Sequence, residues 1–541
     1  QDRGYFVFGA GGVTFPAPGT YQIHASDGAG LTLDSLYIWV LGPGQVAIVD
    51  DANTSAVVGH PYVYNALGAV TAVSTAGPPR FSTCNTEPSG FTVDDRTGAV
   101  RWTPDAAGNI PVCVQATAGG STTPAILLIT VTVAPAPPPG PPTAGFVVRP
   151  TPAQAGAFVV DDPVGSTSPG PLLFRWRFGD GAWPGTDRQP FHRFVLPGGY
   201  RTHLTVWDSA GRYARADQPV QVGLTRLAPT VRIDSAQPLE GNESLSTTLE
   251  ANVSPGSSPT VVAYRWDLGG GTDPISGTLD GGAVPGVPVT YGPGRYFPRL
   301  MVVDGNGLVA TDKAEVVVSK EGAPPPDCLA TLEPTVLVLS TLATGARFRA
   351  FQVATGARLR ETDWRIDGQD QPQDQAVVGM AFDAGGWHHG ELSVRDEDGL
   401  YCRDGVDLAV IGSASGNPIP PRIVDPGNGA ATCGQGYDGG VPVASDPIGL
   451  GVTWTLENGP PGATMDGQGR LSWTPPPAST DPGHFTVRAT SSAGSDVATA
   501  TVTVECEGRT LKTCGCGAEG GLSALAALFA LGAWGRRRAR R

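Results

Sequence analysis

Phe174-Arg175-Trp176-Arg177-Phe178-Gly179-Asp180-Gly181 alternates large apolar side chains with arginines and stops at a Gly-Asp-Gly turn. Successive side chains of a strand point to opposite faces, so this period of two marks a half-buried strand, and the glycines mark the turn that follows. Downstream, Pro197-Gly198-Gly199-Tyr200 leads into Leu204, Val206 and Asp208-Ser209-Ala210-Gly211, which reads as a second strand and its exit turn. The pattern recurs from Ala228 to Ser319 as Tyr264-Arg265-Trp266-Asp267-Leu268-Gly269, Pro293-Gly294-Arg295-Tyr296 and Val303-Asp304-Gly305-Asn306-Gly307. A weaker copy between Cys328 and Gly412 keeps Trp364-Arg365-Ile366-Asp367-Gly368, Gly385-Gly386-Trp387 and Val394-Arg395-Asp396-Glu397-Asp398-Gly399. At the N-terminus Pro18-Gly19-Thr20-Tyr21 and Asp27-Gly28-Ala29-Gly30 supply the second half alone, so the chain is expected to be a fragment.

A second repeat interleaves with the first. Pro88 to Pro104 reads PSGFTVDDRTGAVRWTP, and it is echoed by Pro460-Pro461-Gly462-Ala463-Thr464-Met465-Asp466 with Gly469-Arg470-Leu471-Ser472-Trp473-Thr474-Pro475. Self-similarity of this kind decides architecture before any local assignment does. The first repeat resembles the PKD-type immunoglobulin-like domain, with its Trp strand ending in Gly-Asp-Gly and its Pro-Gly-x-Tyr turn. The second resembles the Putative-Ig, cadherin-like repeat of bacterial surface proteins.

These resemblances imply an all-β chain of tandem immunoglobulin-like β-sandwiches joined by Pro-rich linkers. The expected order is a half PKD-like domain over 1–42 and a cadherin-like domain over 43–133, followed by a Pro-rich linker over 134–142. PKD-like domains follow over 143–223, 228–319 and, in divergent form, 328–412. A second cadherin-like domain over 418–506 precedes a tail over 507–541. The linker Ala134 to Pro142 and the run Pro324-Pro325-Pro326 favour extended polyproline geometry, which predicts a stalk of spaced units.

Composition agrees with many short strands and many turns. Among 541 residues there are 75 glycines and 51 prolines, yet 40% of the residues are hydrophobic. A chain of this length exceeds one core and predicts about four or five domains. A net charge of -14 excludes a nucleic-acid binder, because neutralising phosphates needs a concentrated basic surface. The first residues, Gln1-Asp2-Arg3-Gly4, show no charged segment followed by an apolar core, so no signal peptide is legible.

Six of the eight cysteines fall as one pair per domain: Cys84 with Cys113, Cys328 with Cys402, and Cys433 with Cys506. Local folding of separate domains favours this partition, which implies an oxidising compartment; buried free thiols are the alternative. The other two open the tail. Cys514-Gly515-Cys516-Gly517 precedes an apolar stretch from Leu522 to Trp534 and the cluster Arg536, Arg537, Arg538, Arg540 and Arg541. As a hydrophobic helix that stretch rises about 20 Å, short of a hydrocarbon core of roughly 30 Å. The arginines would hold its end on the cytoplasmic side. Cysteine motif, short helix and arginine cluster resemble the MYXO-CTERM sorting signal of myxobacterial surface proteins. The resemblance implies membrane retention, cleavage by a tail-processing protease and lipidation at Cys514 or Cys516; an ordinary single-span anchor is the alternative reading.

Chemistry-bearing motifs are otherwise sparse. The acidic pairs Asp50-Asp51, Asp94-Asp95, Asp161-Asp162 and Asp396-Glu397-Asp398 sit near Gly or Pro and read as solvated turn residues. Junctional Ca2+ is the one cofactor they could suggest, although they lack a ligand ladder. No metal motif spaces the histidines, and no nucleophile elbow is present. His192 is expected to pack or hydrogen-bond, Trp102, Trp176, Trp266, Trp364 and Trp473 to be core, and Trp183 to be the candidate for exposed carbohydrate stacking. The expectation is therefore a non-enzymatic, exported adhesion or scaffold protein of the cell surface, with a surface protein or polysaccharide as partner. The alternative is a carbohydrate- or polymer-binding accessory region of a larger secreted hydrolase.

Overall fold

The computed structural model describes residues 19–506 apart from 27–31, 50, 85–86, 122, 224–225, 236–237, 270–273, 281, 341–343 and 413–418. The described residues are strands and turns, with no helix among them. The tail over 507–541, with its expected helix, lies outside them, as does the turn Asp27 to Gly30.

An N-terminal hairpin, Gly19–Ser26 with Thr32–Val40, precedes five sandwiches. Each sandwich has its own core, because alternating strands bury one face of each sheet. The first core gathers Tyr64, Phe81, Trp102 and Val131; the second, Phe146, Trp176, Leu204 and Val220. The third holds Trp266, Leu249 and Leu300, the fourth Trp364, Phe348 and Leu392, and the fifth Trp473, Phe485 and Val502. In the second, third and fourth sandwiches the Trp strand pairs antiparallel with the penultimate strand at one repeated register. Trp176 faces Leu204, Trp266 faces Leu300 and Trp364 faces Leu392.

One sheet plan recurs five times. The last two strands form a long hairpin, and a short edge strand lies parallel to the end of the last strand. Those parallel pairs begin at Ser55 with Thr132, Ala153 with Val222, Glu240 with Val317, Val336 with Ala409 and Gly429 with Val502. Asp-x-x-Gly turns close the hairpins of the second and third sandwiches. Asp208 Oδ1 accepts from the amides of Ala210 and Arg212 at 2.9 and 3.0 Å, and Asp304 Oδ1 accepts from Asn306 and Leu308, both at 2.9 Å. These carboxylates are buried turn-formers rather than solvated ones, because each substitutes for the missing partners of its turn amides.

The predicted stalk is not what the fold shows: the second to fifth sandwiches lie against one another. Linker carbonyls are anchored, with Pro138 O accepting from Arg212 Nη2 at 2.9 Å and Pro326 O from Arg295 Nε at 3.0 Å. The fourth sandwich takes contacts from several sides. Ala69 and Ala99 of the first and Phe297 of the third join its core, and Arg101 Nη2 of the first donates to Ala357 O at 2.9 Å.

Candidate functional site: charged junctions between sandwiches

The arginines that alternate with the core tryptophans point away from their own core, yet they are not solvated. Arg175 and Arg177 flank Trp176 on the outer face of the second sandwich, and neighbouring units cover them. Arg175 Nη1 lies 2.8 Å from Asp327 Oδ2, and Arg177 Nη2 lies 3.5 Å from Glu315 Oε2. Arg215 Nη2 approaches Glu315 at 3.6 Å, and Arg295 pairs directly with the same carboxylate. Burial alone would raise the Glu315 pKa, but Arg295, Arg215 and Arg177 outweigh it and hold the carboxyl well below the usual range. Asp327 is likewise held down, burial being outweighed by Arg295 and Arg175. Planar guanidinium forks suit such shared pairing, and Arg175 also stacks 5.0 Å from the Trp207 ring.

A second junction joins the third, fourth and fifth sandwiches at Asp407. Its carboxylate pairs with Arg299 of the third unit and Arg422 of the fifth, and it accepts from His389 Nδ1 at 2.6 Å. Burial, with Arg299 adding to it, pushes the His389 pKa down to about 4, so the ring is neutral near pH 7 and its Nδ1 proton serves the bond to Asp407. Arg422 stands 4.3 Å over the Trp387 ring. Between these junctions, Lys313 Nζ reaches Asp404 Oδ1 at 2.6 Å, and Asp404 Oδ2 accepts from the amide of Ala330 at 2.8 Å. Such networks fix relative placement, although replacing a buried pair by apolar residues is often neutral or stabilising.

Beside the second junction a cleft of about 1590 Å³ opens between the third, fourth and fifth sandwiches. Arg265, Asp367, His388, Arg403, His484 and Arg488 are among its lining residues, with Phe382 and Trp387 also present. His388 Nδ1 is 2.7 Å from Asp367 Oδ2. Charges of both signs beside aromatic rings suit binding of a polar chain.

Other predicted residues find definite places. The structure joins Cys84 to Cys113, Cys328 to Cys402 and Cys433 to Cys506. Cys514, Cys516, Arg536, Arg537, Arg538, Arg540 and Arg541 lie outside the described residues. His192 Nε2 is 2.9 Å from Asp180 Oδ2, and its ring stacks on Phe178 at 3.8 Å. Trp183 is half-buried against Phe351 of the fourth sandwich, and Arg349 sits 4.7 Å from its ring; this contact replaces the expected exposed stacking surface. Asp161 is fully buried on a strand, not solvated in a turn. Among the described residues, the group of side chains spaced to hold an ion is Cys84, Glu87 and Cys113, where the sulfurs are joined to each other. Glu315, Asp327, Asp404, Asp407 and Arg422 were not singled out from the sequence. The available signal was the preference for arginine over lysine at outward strand positions, since the chain has lysine at only Lys313, Lys320 and Lys512.

Comparison with family models agrees with this architecture. Residues 140–222 match the family model described as PKD domain, and residues 420–505 match the one described as Putative Ig domain. No curated protein matches the chain. Solved structures that align with it include the N-terminal eight Ig domains of Down Syndrome Cell Adhesion Molecule isoform 1.30.30. That alignment has 14% identity, covers 86% of this chain and 72% of that one, and has a TM-score of 0.18. Protocadherin Gamma B2 extracellular cadherin domains 1–5 align at 12% identity over 85% of this chain and all of that one, with a TM-score of 0.15. Immunoglobulin domains 1–4 of Sidekick-1 align at 12% identity over 67% and 99% of the two chains, with a TM-score of 0.13. By its family-model matches and its repeated sheet plan, the chain is built of tandem immunoglobulin-like domains.

Proposed function

We propose that this chain is a non-catalytic adhesion or scaffold protein, exported and displayed at the cell surface, with its C-terminal tail directing it to the envelope. The observation that carries the reading is a series of β-sandwiches in which three hold an internal disulfide. Structural disulfides persist in oxidising, extracytoplasmic compartments. The buried arginine junctions add to it, since they favour a body that keeps its loops and cleft in fixed relation. A surface protein or polysaccharide is the partner, held in the mixed-charge cleft. Fold by itself does not name that partner, so its placement rests on the residues lining the cleft.

Two measurements test it. Cells producing the protein are fractionated and its C-terminus is determined by mass spectrometry, in wild type and in Cys514→Ala and Cys516→Ala. The expected result is a surface-exposed protein that has lost Arg536 to Arg541 in a manner dependent on one of the two cysteines. A cytoplasmic protein with reduced cysteines would overturn the proposal. Deleting the gene should weaken cell cohesion or binding to an extracellular polymer; unchanged behaviour in both would remove the adhesion role.

A further inference from the structure

We propose that copies of this chain associate head to tail, the beginning of the penultimate strand of the fifth sandwich in one copy pairing with the beginning of the last strand of the second sandwich in another. The proposal goes beyond the adhesion reading and does not depend on it.

The sheet plan leaves two half-edges in every sandwich. The Trp strand pairs only with the later part of the penultimate strand: residues 203–207 of 198–207 in the second unit and 390–396 of 386–396 in the fourth; in the fifth the equivalent strand, Thr453–Asn458, pairs with 486–490 of 483–491. In the third unit it pairs with 299–304, leaving the strand Gly294–Tyr296 uncovered on that side. The short edge strand covers only the end of the last strand. Open edges are templates for another strand, and natural sheets cover or blunt them.

Within this chain three such edges are each covered by the complementary one of the next unit. Gly199 pairs in parallel with Ala310, Arg295 with Cys402, and Gly386 with Ser495. The first member is always the third residue of the Pro-Gly-x-Tyr motif or its equivalent. The second member is always the second residue of a last strand, and it is small. The approach is close: a Cβ on Gly199 would meet Pro229 O at 2.1 Å and Ala310 Cβ at 2.7 Å, and one on Gly386 would meet Ser495 O at 2.7 Å.

Three interfaces of one kind join four sandwiches, which leaves one unmatched half-edge at each end of the row. At one end stands Pro482-Gly483-His484-Phe485, with His484 in the bridging position. The amide of Thr501 donates to Asn428 Oδ1 at 2.7 Å, so the His484–Thr501 pair is of the non-hydrogen-bonded type and the backbone of His484 faces the open edge. At the other end the last strand of the second sandwich begins Tyr213-Ala214, and Ala214 is the small second residue. Among the described residues no strand lies along 483–485 on the open side or along 213–219. The first sandwich lacks both features: Pro111 removes a donor from the start of its penultimate strand, and Ile126 occupies the second place of its last strand. A heterologous contact of this kind repeats without closing unless its rotation closes a ring. Continuity with the interface already used three times within the chain makes a second copy the occupant.

The test is the mass of the purified full chain in detergent, measured by sedimentation over a hundredfold range of concentration. Wild type should grow past two copies as concentration rises, and His484→Ala, which keeps the backbone edge, should behave as wild type. His484→Pro and Ala214→Ile should each remain monomeric when alone. Mixed together they should form a one-to-one dimer and nothing larger, since each supplies the end the other lacks; misfolded variants could not complement in this way. A wild type that stays monomeric or stops at two copies overturns the proposal, as does a His484→Pro variant that assembles like wild type. So do folded variants, judged by unchanged melting, that fail to complement. None of these outcomes bears on surface location, which the cell-fractionation measurement tests separately.

Discussion

Asp161 shows how far a single side chain can depart from its sequence context. It neighbours Asp162 and Pro163 and reads as a wet turn, yet it lies fully buried on the strand Phe158–Asp162, and neither carboxylate oxygen has a hydrogen-bond partner among the described residues. Burial pushes its pKa up to about 7, against a smaller opposing effect of His192. The folded protein therefore holds this proton more tightly than the unfolded chain, where the ordinary value is 3.8. Its contribution to stability falls as pH rises from about 4 to about 7 and stays low above that. Asp161→Asn should stabilise the protein at pH 8 by roughly 1–3 kcal/mol, because the amide has no charge to desolvate and no proton to hold against the solvent. It should give little gain at pH 4. Thermal melts at the two pH values check this, and an equal effect at both would show that ionisation of Asp161 does not limit stability.

At the scale of the element, hairpins and Trp strands were legible because alternation and glycine punctuation are local properties. Gly179, in the Gly-Asp-Gly turn, has a φ of +85° with Arg201 O 2.8 Å from where a Cβ would lie, so both conformation and space require glycine there. Pro-Gly-x-Tyr was read as a turn, but its glycine opens a strand in Gly198–Trp207 and again in Gly294–Tyr296. Its next residue bridges to a neighbouring sandwich, and that use depends on a partner far away in sequence. Gly199→Val should separate the second and third sandwiches at a cost of about 1–3 kcal/mol, typical of overpacking. Hydrogen exchange should quicken along Val309–Lys313 while the core strand Leu173–Arg177 stays protected. Unchanged exchange along Val309–Lys313 would show that the close approach does not hold the units together.

Over the whole molecule, the arginine junctions decide whether five cores behave as five units or fewer. Asp407 is the sharpest test, since Arg299, Arg422 and His389 meet there from three sandwiches. Asp407→Ala would leave two buried guanidiniums without their shared partner, a change that costs about 3–5 kcal/mol when one member of a buried pair is removed. We expect one cooperative melting transition of the third to fifth sandwiches to split into separate ones by calorimetry, with the Cys328–Cys402 and Cys433–Cys506 disulfides intact. A single transition at an unchanged temperature would mean that the strand-edge contacts, not the charges, hold these units together.

The all-β class, the repeat of sandwiches and the inward tryptophans were determined by the sequence alone, because side-chain period, turn residues and self-similarity are written along the chain. The one-pair-per-domain use of six cysteines was legible for the same reason: each pair sits within one repeat. Tertiary structure alone decided the rest. Arg175, Arg177 and Arg299 look like outward, solvated residues in any single strand, and only a neighbouring sandwich turns them into buried partners of Asp327, Glu315 and Asp407. Trp183 met Phe351 in the same way, and the run Pro324-Pro325-Pro326 that suggested spacing instead connects units whose open half-edges lie together. Burial of a charge and covering of an edge are properties of two surfaces at once, and one stretch of sequence describes only one of them.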